Sequence, residues 1–176
     1  LKVAWGCENG IRADRVDLEL LKLMKRSGCY RVAIGVESTD ANVLKLCRKH
    51  ETIEQMTQAI RWAKDAGLFV RGCFVLGLPG ETKDTLARTG EWARRSPLDE
   101  ANFTILDVLP GCELYKTLAF KPNWDKTSFK TPEYVPDGLT KEDLTTWQGK
   151  MFRSFYMSPK RIWHISSMFK LKQLGV

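Results

Sequence analysis

Hydrophobic residues in the first 118 positions form short continuous runs that alternate with helical stripes. The runs predict strands at residues 1–7, 30–36, 68–76 and 101–109. The stripes predict helices at residues 15–27, 41–47, 53–66 and 83–95. Asp14 is the predicted N-cap of the first helix, and Thr52 with Gln55 predicts a capping box for the third. This order is typical of a parallel α/β sheet whose strands are buried on both faces.

The pattern changes after residue 118. Residues 121–138 contain three prolines among scattered charges and predict an irregular linker. Thr140 with Asp143 predicts the cap of a further helix, and Ser158-Pro159 predicts the start of a last one, with apolar positions Ile162, Ile165 and Phe169. We therefore divide the chain into residues 1–118, the βα part, and residues 119–176, a linker with a C-terminal helical extension.

Length and charge limit the classes of protein that fit. The chain has 176 residues, 43% of them hydrophobic, which is enough for one core but short of the roughly 250 residues of a complete eight-stranded barrel. The net charge of +7 favours solvated basic helix faces over nucleic-acid binding, because no run of five like charges occurs. A basic cleft for an anionic substrate is the alternative. The chain begins inside a predicted strand, so we expect it to be a piece of a longer protein.

The cysteines and the hydropathy indicate the compartment. Five cysteines, an odd count at wide spacing, argue against a secreted disulfide framework. No apolar run approaches the length of a membrane span, and no signal peptide is recognised, so we expect a cytoplasmic protein. Because no C-x-x-x-C-x-x-C occurs, we assign no metal ligand in this chain.

Polar residues or tight-turn glycines follow each predicted strand. Parallel α/β sheets bind ligands at the carboxyl ends of their strands, so these turns predict one shared site. Glu37 is suited to accept hydrogen bonds from a sugar diol or an ammonium group, and Arg12 or Lys49 to neutralise a carboxylate. The alternatives are that Gly77-Leu-Pro-Gly80 only joins a strand to a helix and that Glu37 only favours a helix start.

Five sequence motifs resemble the radical S-adenosylmethionine (SAM) superfamily. They are NGIRAD (9–14), IGVES (34–38), VLKLCRKHET (43–52), FVLGLPGET (74–82) and VLPGCELY (108–115). The resemblance is closest to the branch in which a cobalamin-binding domain often precedes the barrel, and FYMSPKRIW (155–163) is similar to the tail of that branch.

The resemblance implies an α/β fold, a partial TIM-like (βα) barrel of which this chain holds family strands three to six, followed by a C-terminal helical segment. It implies SAM and a [4Fe–4S] cluster as cofactors, with the cluster ligands outside this chain, and cobalamin as a further cofactor of the parent protein. In the family, reductive cleavage of SAM yields a 5′-deoxyadenosyl radical that abstracts hydrogen from the substrate. Cys7 stands near a position that is acidic in some relatives. A thiol cannot replace a carboxylate that binds the SAM ammonium, so the resemblance does not supply that contact here.

The resemblance also implies roles for single residues. Glu37 matches a polar position that contacts the SAM ribose, and Lys49 matches a basic position that meets the methionyl carboxylate. Arg12 would face the same carboxylate or the substrate. Gly77 would lie along the adenine, and Leu109 would offer backbone contacts to the adenine edge.

The leading interpretation is that the chain is a portion of a radical SAM enzyme of the Fe–S oxidoreductase type, inactive alone. Its partners would be a small-molecule substrate and a reductant such as flavodoxin or ferredoxin, and exposed sheet edges favour dimerisation of the piece. The alternatives are a non-catalytic α/β scaffold derived from the same fold and an enzyme of RNA modification. No RNA-binding module supports the last of these.

Overall fold

The structure, a computed structural model, describes residues 3–117, 134–159, 161–163 and 166. One sheet of four parallel strands lies at its centre, in the order β1-β2-β3-β4. The strands are β1 Trp5–Ile11, β2 Cys29–Glu37, β3 Phe69–Leu76 and β4 Glu100–Ile105. The predicted parallel α/β class, a partial (βα) barrel with a C-terminal helix, is confirmed.

The helices follow the strands in the predicted order. They are α1 Leu18–Arg26, α2 Ala41–Leu46, α3 Ile53–Asp65, α4 Lys83–Arg95, α5 Glu113–Thr117 and α6 Lys141–Tyr156. The capping boxes at Thr52 and Thr140 are confirmed, because each threonine side chain accepts a backbone N–H while the residue three positions on returns the bond. None of the described helices is long and apolar enough to cross a membrane.

The hydrophobic core lies on one face of the sheet, between the strands and the helices α1, α3, α4 and α6. Phe74 stacks on Phe103 with ring centroids 4.9 Å apart, and Phe103 meets the ring of Phe155 from α6 edge-on. The expectation that the strands are buried on both faces is wrong for β3. Its residues alternate between fully and partly buried, because Arg71 and Cys73 point to the opposite, open face.

Three predicted boundaries are wrong, each for a physical reason. Strand β1 continues to Ile11, which pairs with Ile34. Helix α1 is capped by Asp17, which accepts the N–H of Leu20 at 2.8 Å, because the Asp14 carboxylate is bound by arginine side chains instead. Strand β4 stops at Ile105 because β3, its neighbour, ends at Leu76. In the predicted last helix Ile162 is exposed, and Ile165 and Phe169 lie outside the described residues.

Arg161 attaches the segment after α6 to the end of α4 and to the turn before β4. Its buried guanidinium donates to the carbonyls of Leu98, Ala93 and Ser96, at the end of α4 and the turn into β4. The same group stacks 3.4 Å from the centroid of the Phe155 ring. Burial lowers the pKa of Arg161 to about 10, so it stays protonated at neutral pH. One side chain therefore satisfies carbonyls that α4 leaves without an intrahelical partner.

We expect Arg161→Ala to lower the free energy of unfolding by about 3 kcal/mol, because several buried carbonyls lose their donor and Phe155 loses its stacked partner. Arg161→Lys should recover only part of this loss, since a lysine ammonium cannot reach all the carbonyls that the planar guanidinium reaches. Urea unfolding measures both, with Arg26→Ala on the exposed end of α1 as the control. Equal stability of the Arg161→Ala and Arg26→Ala variants would contradict this role.

Glu81 holds the turn that follows β3. The residue is only 1% exposed, and its Oε2 accepts the N–H of Gly77 at 2.5 Å and of Leu78 at 3.3 Å. Its Oε1 is buried and has no hydrogen-bond partner within the described part of the chain. Burial raises the pKa of Glu81 to about 7, although the two N–H groups act in the opposite direction. The turn is thus fixed by a carboxyl group that titrates near neutrality.

The free energy of unfolding should fall with rising pH, because Glu81 loses its proton in the folded protein. The folded carboxyl keeps its proton to about pH 7, whereas an unfolded one loses it near 4.5. Its contribution is therefore fully present below pH 4.5 and declines by about 3 kcal/mol as the pH rises from 4.5 through about 7. Urea unfolding between pH 5 and pH 8 should show a clearly smaller decline for Glu81→Gln than for the wild type. The exposed control Glu19→Gln should keep the full decline, and parallel curves for all three would rule the effect out.

Candidate functional site

The carboxyl ends of all four strands meet at one edge of the sheet, called the rim here. Parallel pairing of each neighbouring pair requires this arrangement. The rim therefore carries the turns after Ile11, Glu37, Leu76 and Ile105. The expected gathering of these four turns is confirmed, and four of the five predicted site residues, Arg12, Glu37, Gly77 and Leu109, lie at strand ends or in these turns.

Lys49 joins the turns after β1 and β2. Its Nζ donates to the carbonyl of Gly35 at 2.7 Å and lies 3.4 Å from Glu37 Oε1 and 3.1 Å from Glu51 Oε2. The other oxygen of the buried Glu51 accepts the N–H of Ala13 at 2.5 Å. This Lys49 cluster brings two predicted residues together, Glu37 and Lys49, and adds Glu51, which we did not predict.

Glu37 adopts a backbone conformation that is uncommon for a residue with a side chain. Its φ is 61°, in the left-handed region. A Cβ at Gly35 would stand 2.6 Å from Glu37 Oε1 and 3.1 Å from Lys49 Nζ, so only glycine fits under the pair. Burial raises the pKa of Glu37, with the nearby Lys49 opposing it. Strain of this kind concentrates at functional sites, which supports a role for Glu37 beyond packing.

The two predicted cations are already engaged. An ammonium has three donors, and Lys49 directs its own at Gly35, Glu37 and Glu51. Arg12 makes a bidentate pair with Asp14, at 2.8 and 2.9 Å, while its side chain is 53% exposed. A ligand carboxylate would therefore compete with Glu37 for Lys49 and with Asp14 for Arg12. The sequence offered no signal for these pairings, because they depend on side-chain directions.

Gly77 and Leu109 flank an apolar cavity on the rim. Gly77 has a φ of 85° and begins the turn held by Glu81, and Leu109 is largely exposed. The cavity has a volume of about 500 Å³ and includes Leu46, Cys47, Leu78, Pro79, Leu106 and Leu109 in its lining. This size is typical of small-molecule sites.

Cys47 connects the cavity to the Lys49 cluster. Burial raises the pKa of the Cys47 thiol, and the carboxylates of Glu81 and Glu37 raise it further. The thiol therefore lies in the field of both carboxylates while it lines the cavity. A ligand with an apolar ring and a polar neighbouring group would contact the cavity and Glu37 together.

The open face of the sheet carries charges that we did not predict as a site. Glu8, Arg31, Arg71 and Glu100 come from β1, β2, β3 and β4 and form ion pairs with one another. The signal in the sequence was a single arginine within each of two apolar runs, Arg31 and Arg71, with Glu8 and Glu100 adjoining the other two runs. Cys7, one position before Glu8, packs against the hydrophobic core instead.

The described residues fit a nucleoside better than a metal cluster. No group of three or more metal-binding side chains occurs among them, and all five cysteines are free thiols. A [4Fe–4S] cluster is therefore not held by the part of the chain that the structure describes. By contrast, Glu37 Oε2 makes no hydrogen bond to a described residue, and the charge of Glu37 acts on Cys47 in the lining of the apolar cavity, which suits a ribose next to an adenine.

Known proteins are similar to this chain in sequence. The chain is 30% identical to an uncharacterized methyltransferase of Pyrococcus horikoshii over 165 residues, which are 91% of this chain and 36% of that protein. The chain thus spans about a third of that relative's length.

Two solved structures have the same fold. One is methylornithine synthase, at a TM-score of 0.55 and 15% identity, over 80% of this chain and 44% of that one. The other is the radical SAM methyltransferase TsrM from Kitasatospora setae, solved with cobalamin and a [4Fe–4S] cluster bound. It matches 53% of this chain and 19% of that one, at a TM-score of 0.51 and 19% identity.

The residues that match a protein family include the Lys49 cluster and the turn after β3. Residues 7–93 match the radical SAM superfamily and cover the sheet from β1 through β3 and most of α4. Together with the parallel βα order and the relatives above, this match identifies the family. The chain belongs to the radical SAM superfamily.

Proposed function

We propose that the rim binds the nucleoside end of SAM and that this chain forms the SAM and substrate wall of a radical SAM enzyme of the Fe–S oxidoreductase type. In that family SAM, when reductively cleaved at a cluster, supplies a 5′-deoxyadenosyl radical that removes hydrogen from a substrate. The observation that carries the proposal is a strained, half-buried Glu37 that pairs with Lys49 and whose charge acts on Cys47, a residue in the lining of an apolar cavity.

The adenine would occupy the cavity between the turn after β3 and the loop after β4. Leu78, Pro79 and Leu106 offer it apolar surface, and the backbone near Leu109 lies at its edge. Gly77 and Gly80 have positive φ angles of 85° and 79°, so this turn depends on glycine. Glu81 holds the turn through Gly77 and Leu78, which keeps the wall of the cavity in place before a ligand arrives.

The ribose hydroxyls would donate to Glu37. Lys49 donates to Oε1 of this carboxylate, so Oε2 is left to accept from a diol. The methionyl carboxylate would take the long contact of Lys49, now 3.4 Å from Glu37, or draw Arg12 from Asp14. In the first exchange Glu37 loses Lys49, and the ammonium of SAM would take the place of Lys49 beside it. In the second exchange Asp14 keeps Arg15 as an ion-pair partner.

Further parts of the enzyme would come from outside this chain. The cluster requires a C-x-x-x-C-x-x-C motif, and a reductant such as flavodoxin or ferredoxin would supply its electron. Cobalamin use is supported by the presence of cobalamin in the structure of TsrM. A scaffold without catalysis is the second candidate, favoured by the lack of this motif in the sequence. The residues encoded before Leu1 separate the two, since a scaffold would lack the motif there as well.

Adenosine binding tests the rim without cluster or reductant. We expect saturable binding of adenosine to the chain, measured by calorimetry or by ligand-observed NMR. Glu37→Gln should weaken it about tenfold or more, because a hydrogen bond to a charged carboxylate contributes about 1.5–3 kcal/mol. Binding of 2′,3′-dideoxyadenosine, which lacks the diol, should not respond to this substitution.

The matched control is Glu142→Gln on the exposed face of α6, which makes the same change of charge away from the rim. It should leave the affinities for both nucleosides unchanged. If Glu37→Gln weakens both nucleosides equally, the diol contact is wrong. If the wild-type chain binds neither nucleoside, the proposed site itself is wrong.

A further inference from the structure

Each of the four strands places one charged side chain on the open face. Glu8, Arg31, Arg71 and Glu100 form a closed ring of alternating sign, in which every arginine contacts both carboxylates. Arg31 and Arg71 come from neighbouring strands, β2 and β3. The ring lies nearer the amino-terminal ends of the strands than the rim does, because Arg71 pairs in register with Glu100, the first residue of β4.

Glu100 holds both arginines firmly from one side. Its Oε2 accepts from Arg31 at 2.6 Å, and its Oε1 accepts from Arg71 Nε at 2.9 Å. The guanidinium of Arg31 also stacks over the ring of Phe69, 5.3 Å from its centroid. All of these contacts orient the two guanidinium groups before any ligand binds.

Glu8 meets the same arginines loosely from the other side. One oxygen, Oε2, lies 3.2 Å from Arg71 and 3.4 Å from Arg31 Nε, and the side chain is 45% exposed. Arg31 Nε is buried and has no hydrogen bond to any described residue. Two oriented guanidinium groups therefore point to one position. The partly exposed carboxylate of Glu8 occupies this position but does not satisfy all of their donors.

We infer that Arg31 and Arg71 form a fork that binds a carboxylate of the substrate, and that Glu8 occupies the fork when no substrate is bound. This inference rests on the proposed function, because only a barrel enzyme places its substrate on this face. A substrate carboxylate entering the fork would release Glu8 to solvent, and both of its oxygens would accept hydrogen bonds from the arginines, which is the geometry that guanidinium groups favour.

Charge favours a carboxylate over a phosphate. Two arginines and Glu100 leave one positive charge, which Glu8 neutralises in the closed ring. A monoanionic carboxylate replaces Glu8 without changing this balance, whereas a phosphate dianion leaves an excess negative charge next to Glu100. The substrate class is thus a small organic acid.

The fork also sets the orientation of the substrate. Cys73 stands on the open face between the fork and the rim, within the field of Arg71 and Glu37. Gly77 follows the end of β3 and lies six positions after Arg71, a span that corresponds to about 20 Å of strand. An acid held by the fork would extend past Cys73 toward the rim, where the radical of SAM would be formed. The reacting carbon would therefore be remote from the carboxylate.

The inference can be tested with pentanoate as the probe, in the absence of SAM. Two-dimensional NMR of the arginine Nε–H groups in the 176-residue chain should show saturable shifts of the Arg31 and Arg71 signals. Pentanamide, the uncharged analogue, should shift neither, and inorganic phosphate should bind more weakly at equal ionic strength. Phosphate binding as tightly as pentanoate would overturn the carboxylate assignment.

Glu8→Gln is the decisive variant, because it removes the competing negative charge and keeps both arginines. We expect pentanoate to bind about tenfold more tightly to this variant. The exposed control Glu19→Gln should match the wild type. An unchanged affinity in Glu8→Gln would show that the ring only braces the sheet. Adenosine titrated into the same samples reports on the rim independently, so failure of either site is seen without the other.

Discussion

Parallel pairing of four strands is the constraint from which the rest of the molecule follows. It places four carboxyl ends at one edge, so residues that are far apart in sequence, such as Ala13, Glu51 and Glu81, hold adjacent turns. It also sets the register in which Arg71 faces Glu100 and Gly35 faces Cys73. A shift of one residue in any strand would turn these side chains toward the core and bury unpaired charges there.

The two faces of the sheet therefore serve different purposes. The helix-covered face stabilises the fold through Phe74, Phe103 and the helices packed on them. The open face carries ion pairs that cross all four strands. Because the core does not depend on the open face, polar residues there are free to be selected for ligands rather than for stability.

Sequence reasoning succeeded where a local rule governs the structure. Helix α4 was placed at its observed bounds, and the caps at Thr52 and Thr140 followed from a three-residue spacing. It failed where partners are distant. Nothing local to Arg12 indicates whether its guanidinium turns to Asp14 or to a ligand, and nothing near Lys49 shows that Glu51 shares it. The open-face ring was missed for the same reason, since it needs the register of all four strands.

Electrostatics favour a cationic ligand at the Lys49 cluster. The cluster contains two carboxylates, Glu37 and Glu51, but one ammonium, so it carries one uncompensated negative charge when both acids are ionised. The raised pKa of Glu37 reflects what burial costs this ionised state. A cation nearby would favour the ionised form, which is the strongest acceptor for a diol. SAM, which carries a sulfonium, an ammonium and a carboxylate, has the net positive charge that this rim lacks, whereas a neutral nucleoside would satisfy only the hydrogen bonds.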